Sequence, residues 1–175
     1  MTVRILTTAR LDLVPCTLAT LDAELDSSSS LALLLDAVVP AAWPPGEYDR
    51  EAIEYFRERL SENPDAAGWY GWYAVLRAAG RRTVVGAGGF LGPPDAEGLV
   101  EVGYSIVPGF ERRGLATELV AALVAHARAS GRVHVIVAHT RPDNAGSLTV
   151  LTRSGFQPAG AGREPGTVRY VRRPA

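Results

Sequence analysis

The chain reads as a mixed α/β domain, with a central sheet of about seven strands and one parallel strand–helix–strand crossover. Three observations predict it. Between residues 68 and 107, three strand-like runs are joined by short turns at Gly80-Arg81-Arg82 and Gly92-Pro93-Pro94-Asp95, the pattern of an antiparallel meander. The run 99–107 is followed by a helix pattern and then by a second apolar run at 133–140, a passage that packs as a right-handed parallel crossover. At 175 residues the chain is long enough for one domain, 1–175, with a proper core.

Taken in order, residues 10–15 alternate and end at Pro15, which predicts a first strand. Thr17 or Thr20 caps a helix through Leu21 and Leu25. The serine tract 27–30 interrupts it, and a short helix follows over 31–38. Prolines at 40, 44 and 45 force a loop that carries Trp43. Ile53, Phe56 and Leu60 recur at helical spacing over 49–60, and Asn63-Pro64-Asp65 stops that helix. Strands then read over 68–77, 83–91 and 99–107. Leu115, Leu119, Ala122, Leu123 and Ala127 lie on one face of a helix over 114–129. Residues 133–140 are a buried strand, 145–154 a short helix ended by Gly155, and 156–171 a closing hairpin bent around 160–166.

Composition narrows the function. A formal charge of −1 leaves no electrostatic footprint for nucleic acid or an anionic membrane. No apolar run approaches the roughly 20 residues of a membrane span. The N-terminal run MTVRILTTARLDL has neither a signal core nor a cleavage site, so a cytoplasmic protein is expected. The single cysteine, Cys16, has no nearby base to activate it. His126, His134 and His139 lack ligand spacing, so no metal is expected.

The chain is organised around the run 111–118, Glu-Arg-Arg-Gly-Leu-Ala-Thr-Glu, between a strand and a helix. A helix start exposes unpaired N–H groups and the positive end of its dipole. Gly114 lets an anion approach that backbone, and Arg112 and Arg113 add charge beside it. These features point to a phosphate or pyrophosphate site. The Gly-Lys-Ser/Thr ending of a P-loop is absent, as is Gly-x-Gly-x-x-Gly, so an unrelated ATP or NAD binder lacks supporting residues. Residues 111–116 fit the acetyl-CoA loop, Arg/Gln-x-x-Gly-x-Gly/Ala, at every position but the first, where Glu111 stands.

With Val100-Glu101-Val102-Gly103-Tyr104 upstream and Asn144-Ala145-Gly146-Ser147 followed by Gly155-Phe156 downstream, the chain resembles the GNAT superfamily of N-acetyltransferases. The opening Ala9-Arg10-Leu11-Asp12-Leu13 is similar to the ribosomal-protein-alanine acetyltransferase-like (RimJ/RimL-type) branch. The resemblance implies a GNAT-like acyl-CoA N-acyltransferase fold, with acetyl-CoA as co-substrate and no metal. It implies that strands 99–107 and 133–140 splay around the thioester, with a backbone N–H at Ile106 or Val107 on its carbonyl. The amides of Arg112, Arg113, Gly114, Leu115, Ala116 and Thr117 would hold the pyrophosphate, and Asn144 would turn its backbone to the pantetheine.

Glu101 is then the candidate general base through a water, since an amine must be neutral to attack. Many relatives carry a tyrosine acid seven residues after the Asn; Leu151 stands there, and Ser147 becomes the group expected near the departing thiol. His139 is a candidate auxiliary base. Tyr104 reads as core or pocket wall. Trp43, Trp69 and Tyr73 are candidates for the acceptor pocket, with Trp69 and Tyr73 on one sheet face by alternation. The resemblance implies transfer to a primary amine, either a protein α-amine or a small molecule. A homodimer is common among such proteins. The other reading is a non-catalytic CoA-binding or interaction protein on the same scaffold.

Overall fold

The computed structural model describes residues 4–173; Met1–Val3, where the N-terminal run begins, and Pro174–Ala175 lie outside the described residues. Its strands are β1 (Leu6–Thr7), β2 (Leu11–Pro15), β3 (Gly71–Ala78), β4 (Arg81–Phe90), β5 (Leu99–Ile106), β6 (Val135–Thr140), β7 (Gln157–Ala161) and β8 (Val168–Arg172). The helices are α1 (Leu18–Asp26), α2 (Ser28–Leu35), α3 (Arg50–Glu62), α4 (Leu115–Ala129) and α5 (Ala145–Arg153). All eight strands join one sheet in the order β1-β2-β3-β4-β5-β6-β8-β7. The strand beyond the expected seven is β1, whose two residues pair with Asp12 and Leu13. So short a strand has no alternation to read.

Local chemistry explains the helix boundaries. Thr17 and Thr20 form a reciprocal capping box at the start of α1. Ser27 ends α1 and caps α2, so the serine tract serves as a one-residue break followed by a first helical turn. That shifts α2 earlier than its apolar run suggests, and it ends at Asp36 in the left-handed region. The Asp49 side chain accepts from the Ala52 amide, 3.0 Å, to open α3.

Two cores lie on opposite faces of the sheet. Leu115, Leu119 and Leu123 of α4 pack against Leu13, Trp72, Val85 and Phe90, with Leu151 of α5 beside them. On the other face Leu21, Leu31, Phe56 and Leu60 from α1–α3 pack against Tyr73, Val84 and Ala87. The sheet is therefore sandwiched between α1–α3 and α4–α5.

One alternation expectation fails here. Trp69 belongs to the α4-side core, whereas Tyr73 belongs to the α1–α3 side. Regular pleating begins only at Gly71, and the bend after Gly68 (φ +88°) carries Trp69 out of phase.

Among the described strands β5 and β6 alone pair in parallel, over three positions, Leu99 with Val135, Val100 with Ile136 and Glu101 with Val137. Beyond Glu101, β5 stays with β4 while β6 stays with β8. A split therefore opens in the middle of the sheet. No helix among the described residues is long and apolar enough to cross a membrane.

Candidate active site

The split leaves backbone groups of β5 without strand partners. The Val107 amide donates to the Val85 carbonyl at 2.8 Å, so it is spent on β4. Successive amides of a strand point to opposite sides. The Ile106 amide accordingly faces the split, and Ile106, not Val107, is the candidate donor to a carbonyl oxygen placed there. This corrects half of the expectation for that pair.

At the mouth of the split, α4 begins at Gly114, which adopts the left-handed region (φ +76°) and provides no side-chain cap. A β-carbon is disfavoured at that φ. No described hydrogen bond uses the amides of Leu115, Ala116 or Thr117; the first intrahelical bond is Glu118 N–H to the Gly114 carbonyl, 3.1 Å. Three first-turn donors of a 15-residue helix thus stay available to an anion, and this loop fits a pyrophosphate. The Leu115 side chain is buried, so only its backbone can take part.

The arginines are distributed less simply than their adjacency suggests. Arg113 folds back, donating to the Gly109 carbonyl at 2.8 Å and lying over the Phe110 ring. Arg112 is exposed at φ +58°, and Glu111 is also exposed. A third arginine, Arg10, reaches the loop from the start of the chain and donates to the Arg113 carbonyl at 2.8 Å. Glu118 holds it in place through its backbone and guanidinium, 2.8 Å each. Burial pushes the Glu118 carboxyl up, but bonds from Thr8 and Arg10 outweigh it and hold the group below its usual range. Nothing in the sequence near 111–118 signals Arg10, because the contact spans 103 residues.

Inside the split, Glu101 is the last β5 residue paired to β6. Its Oε1 lies 3.1 Å from Nδ1 of His139, and its Oε2 accepts from the Arg163 guanidinium in the β7–β8 loop. The Glu101 and His139 side chains are each 16% exposed, so the pair is set in but reachable. Gly103 leaves the same sheet face bare, since a β-carbon there would meet nothing within 4 Å.

On the α4 side of β5, the Tyr104 hydroxyl sits 3.0 Å from Oγ of Ser147. Burial raises the Tyr104 phenol above its ordinary range, with the Ser147 contact opposing. Asn144 caps α5, its side chain accepting from the Ser147 amide at 3.0 Å. Leu151 is fully buried in the core, so no polar group stands in its place. Tyr104 packs against the α4-side core, as a core or pocket-wall residue does, and its hydroxyl also meets the serine expected at the thiol.

Of the acceptor-pocket candidates, Trp43 and Tyr73 come together and Trp69 does not. Trp69 packs against Phe90 and His126 in the α4-side core. Trp43 and Tyr73, rings 6.1 Å apart, converge on Glu24. Its carboxylate accepts from Trp43 Nε1 (2.7 Å), Tyr73 (2.7 Å) and Tyr48 (2.9 Å). A cavity of about 130 Å³ borders Glu24 and Trp43. Burial pushes the Glu24 carboxyl up, against the three donors, and pushes Tyr48 and Tyr73 well above the usual phenol range. Cys16 beside this cluster is fully buried, and burial drives its thiol far up, consistent with no nucleophilic role. Burial also lowers His126, which sits between Trp69 and Trp72. Among the described residues no cluster of three His, Cys, Asp or Glu is placed to hold a metal.

A split parallel pair, an uncapped helix start at its mouth and a carboxylate inside it can be compared with known proteins. The family described as the acetyltransferase (GNAT) domain matches residues 10–157. The chain belongs to the GNAT acetyltransferase family. It is 35% identical over 114 residues to an uncharacterized N-acetyltransferase, YjdG of Bacillus subtilis (strain 168), a match covering 65% of this chain and 66% of that protein. Among solved structures, an acetyltransferase from Agrobacterium tumefaciens superposes with a TM-score of 0.66 at 22% identity, over 98% of this chain and 95% of that one. RimL, a ribosomal L7/L12 α-N-protein acetyltransferase, gives 0.64 at 19% over 99% and 96%. The microcin C7 self-immunity acetyltransferase MccE, solved with acetyl-CoA and AMP, gives 0.63 at 17% over 95% and 93%. At such identities these likenesses establish the GNAT fold.

Proposed function

We propose that the chain is an acetyl-CoA-dependent N-acetyltransferase that acetylates a primary amine, either a protein N-terminal α-amine or a small-molecule amine. The observation that carries the reading is the alignment of three features along one split: free amides at Leu115–Thr117, the inward Ile106 amide, and Glu101 beyond them. Acetyl-CoA supplies an acyl carbon already activated as a thioester. The protein's contribution is to orient it against the amine, to donate from Ile106 to the carbonyl oxygen, and to receive the amine proton at Glu101 through a water. Trp43 and Glu24, which border the small cavity with fully buried Tyr73 behind them, form the wall on which an amine-bearing acceptor would rest, and an aromatic surface favours a cationic one.

Calorimetric titration with acetyl-CoA tests the cofactor half of the reading. Micromolar binding is expected in the wild type, and its loss in Arg113→Glu/Gly114→Trp, which blocks the α4 start. Wild-type protein that does not bind acetyl-CoA would remove the assignment. A thiol-release assay over a panel of amines tests the transfer, and Glu101→Gln separates an enzyme from a non-catalytic CoA-binding protein, which would lose nothing.

The leaving group has its own test. Ser147, held by Tyr104, is the hydroxyl offered to the departing thiolate. Ser147→Ala is expected to lower kcat by roughly tenfold, about the worth of one hydrogen bond to a charged group, with KM for acetyl-CoA nearly unchanged. Tyr104→Phe should give a smaller loss of the same kind. A rise in KM at constant kcat would place Ser147 in ground-state binding instead.

A further inference from the structure

We propose that His139 is the catalytic base, and that Glu101 is the residue that positions it. The proposal rests on the acetyltransferase reading above and names the group between Glu101 and the acceptor.

Both oxygens of Glu101 are already engaged, one by His139 and the other by Arg163. An ionised carboxylate only accepts hydrogen bonds. The His139 nitrogen facing it, Nδ1, must therefore carry the ring proton. In the neutral ring the other nitrogen, Nε2, then holds the lone pair, and no described residue hydrogen-bonds it. This is the arrangement in which a carboxylate fixes the tautomer and orientation of a histidine base. Imidazole is also the side chain whose ordinary titration lies nearest neutrality, where a general base works best.

Position agrees with the chemistry. Glu101 pairs with Val137, and His139, two residues further along β6, shares that sheet face where the two strands have parted. Gly103, on the same face of β5, leaves open space beside the pair. The charged groups around the ring are Glu101 from β5, Arg163 from the β7–β8 loop and Arg169, its cross-strand neighbour on β8. Arg163 takes the second oxygen of Glu101, and Arg169 lies across β6 on the far side of the ring, so Glu101 meets His139 as a hydrogen-bond acceptor held from one side.

The step balances without any other reactant. His139 Nε2 takes one proton from the acceptor ammonium, freeing the nitrogen lone pair. That pair forms the N–C bond to the acetyl carbon as the C–S bond breaks, with its electrons leaving on sulfur. The second N–H proton passes to the thiolate, beside the Ser147 hydroxyl. The imidazolium returns its proton to solvent.

The experiment measures acetyl transfer and acetyl-CoA binding in wild type, His139→Ala, His139→Gln and Glu101→Gln, with and without added imidazole. We expect His139→Ala to lose on the order of 100-fold in kcat, within the usual range for removing a general base, while its acetyl-CoA affinity stays within about threefold. Added imidazole should restore about tenfold of that loss in His139→Ala, where it fills the vacated space, and nothing in Glu101→Gln. His139→Gln keeps a hydrogen bond to Glu101 but has no proton acceptor, so it should be as slow as His139→Ala if the alanine variant folds poorly. Turnover in both His139 variants above about a third of wild type overturns the proposal and leaves Glu101 acting through water. So does a loss that imidazole restores equally in Glu101→Gln. Wild-type protein that binds acetyl-CoA but acetylates no amine overturns the underlying reading, a result distinct from either.

Discussion

Gly89→Ala is expected to cost more than about 3 kcal/mol, enough to abolish soluble expression or to lower Tm by roughly 10 °C. A β-carbon on Gly89 would lie 2.1 Å from the Tyr70 carbonyl oxygen, 2.9 Å from its carbon and 3.0 Å from the Gly71 Cα. All three are main-chain atoms, so no side chain can rotate away. The Phe90 amide bonds the same Tyr70 carbonyl at 3.3 Å, and pushing the chains apart would strain that link too. Relief would need β3 and β4 to separate where they carry Trp72 and Phe90 into the core. The control is Gly103→Ala directly across the ladder. Gly103 pairs with Gly89, yet a β-carbon there meets nothing within 4 Å. Thermal unfolding of the two variants side by side decides the matter. A Gly89→Ala Tm within about 2 °C of wild type would show that the close approach is soft.

The second large effect is at Glu24, and it depends on which residue replaces it. Glu24→Ala removes the acceptor from Trp43, Tyr48 and Tyr73, of which Tyr73 is fully buried and the other two nearly so. An unmet buried donor costs about 1–3 kcal/mol, and partial access to water for two of them suggests a total of about 3–5 kcal/mol. Glu24→Gln should be far milder. Its amide oxygen can face the fixed Trp43 N–H, while its NH₂ donates to the tyrosine hydroxyls, which can turn to accept.

The same pair of variants carries a pH dependence of definite sign. Burial raises the Glu24 carboxyl in the folded protein above its unfolded value. Ionisation therefore costs more in the native state, a penalty fully present above the folded pKa. The penalty fades as pH falls from the folded value toward the unfolded one, where both states are protonated. Wild type should gain stability relative to Glu24→Gln across that acidic window. Urea unfolding at neutral pH and near pH 5 measures it, and a difference that stays flat or reverses would contradict the raised carboxyl.

Much of the architecture was open to reading because helices, strands and turns announce themselves locally. The α4 stripe appeared at helical spacing and is the buried face of that helix; Leu115, Leu119, Leu123 and Ala127 are all in the core. The loop proposed for acetyl-CoA was legible for the same reason, since a strand end, a left-handed glycine and a helix start are neighbours in the chain. The misreadings fell where local rules lapse. Alternation puts Trp69 on the wrong face because it starts only at Gly71, and the choice between the Ile106 and Val107 amides turns on β4, which takes that of Val107.

Periodicity and turn chemistry in the chain were enough to specify the order of most elements, the crossover and the uncapped helix start after Gly114, while the family was legible only through the resemblance of its motifs. The composition of the site was out of their reach. Glu101 meets His139 across 38 residues and Arg163 across 62, Tyr104 meets Ser147 across 43, and Glu24 meets Tyr73 across 49. These partners are neighbours only because β5 and β6 lie side by side before parting, and because α1, α5 and the β7–β8 loop close over the sheet. A lone polar residue in a strand or helix has no period of its own. Its partner follows from strand register and packing, which belong to the folded chain as a whole.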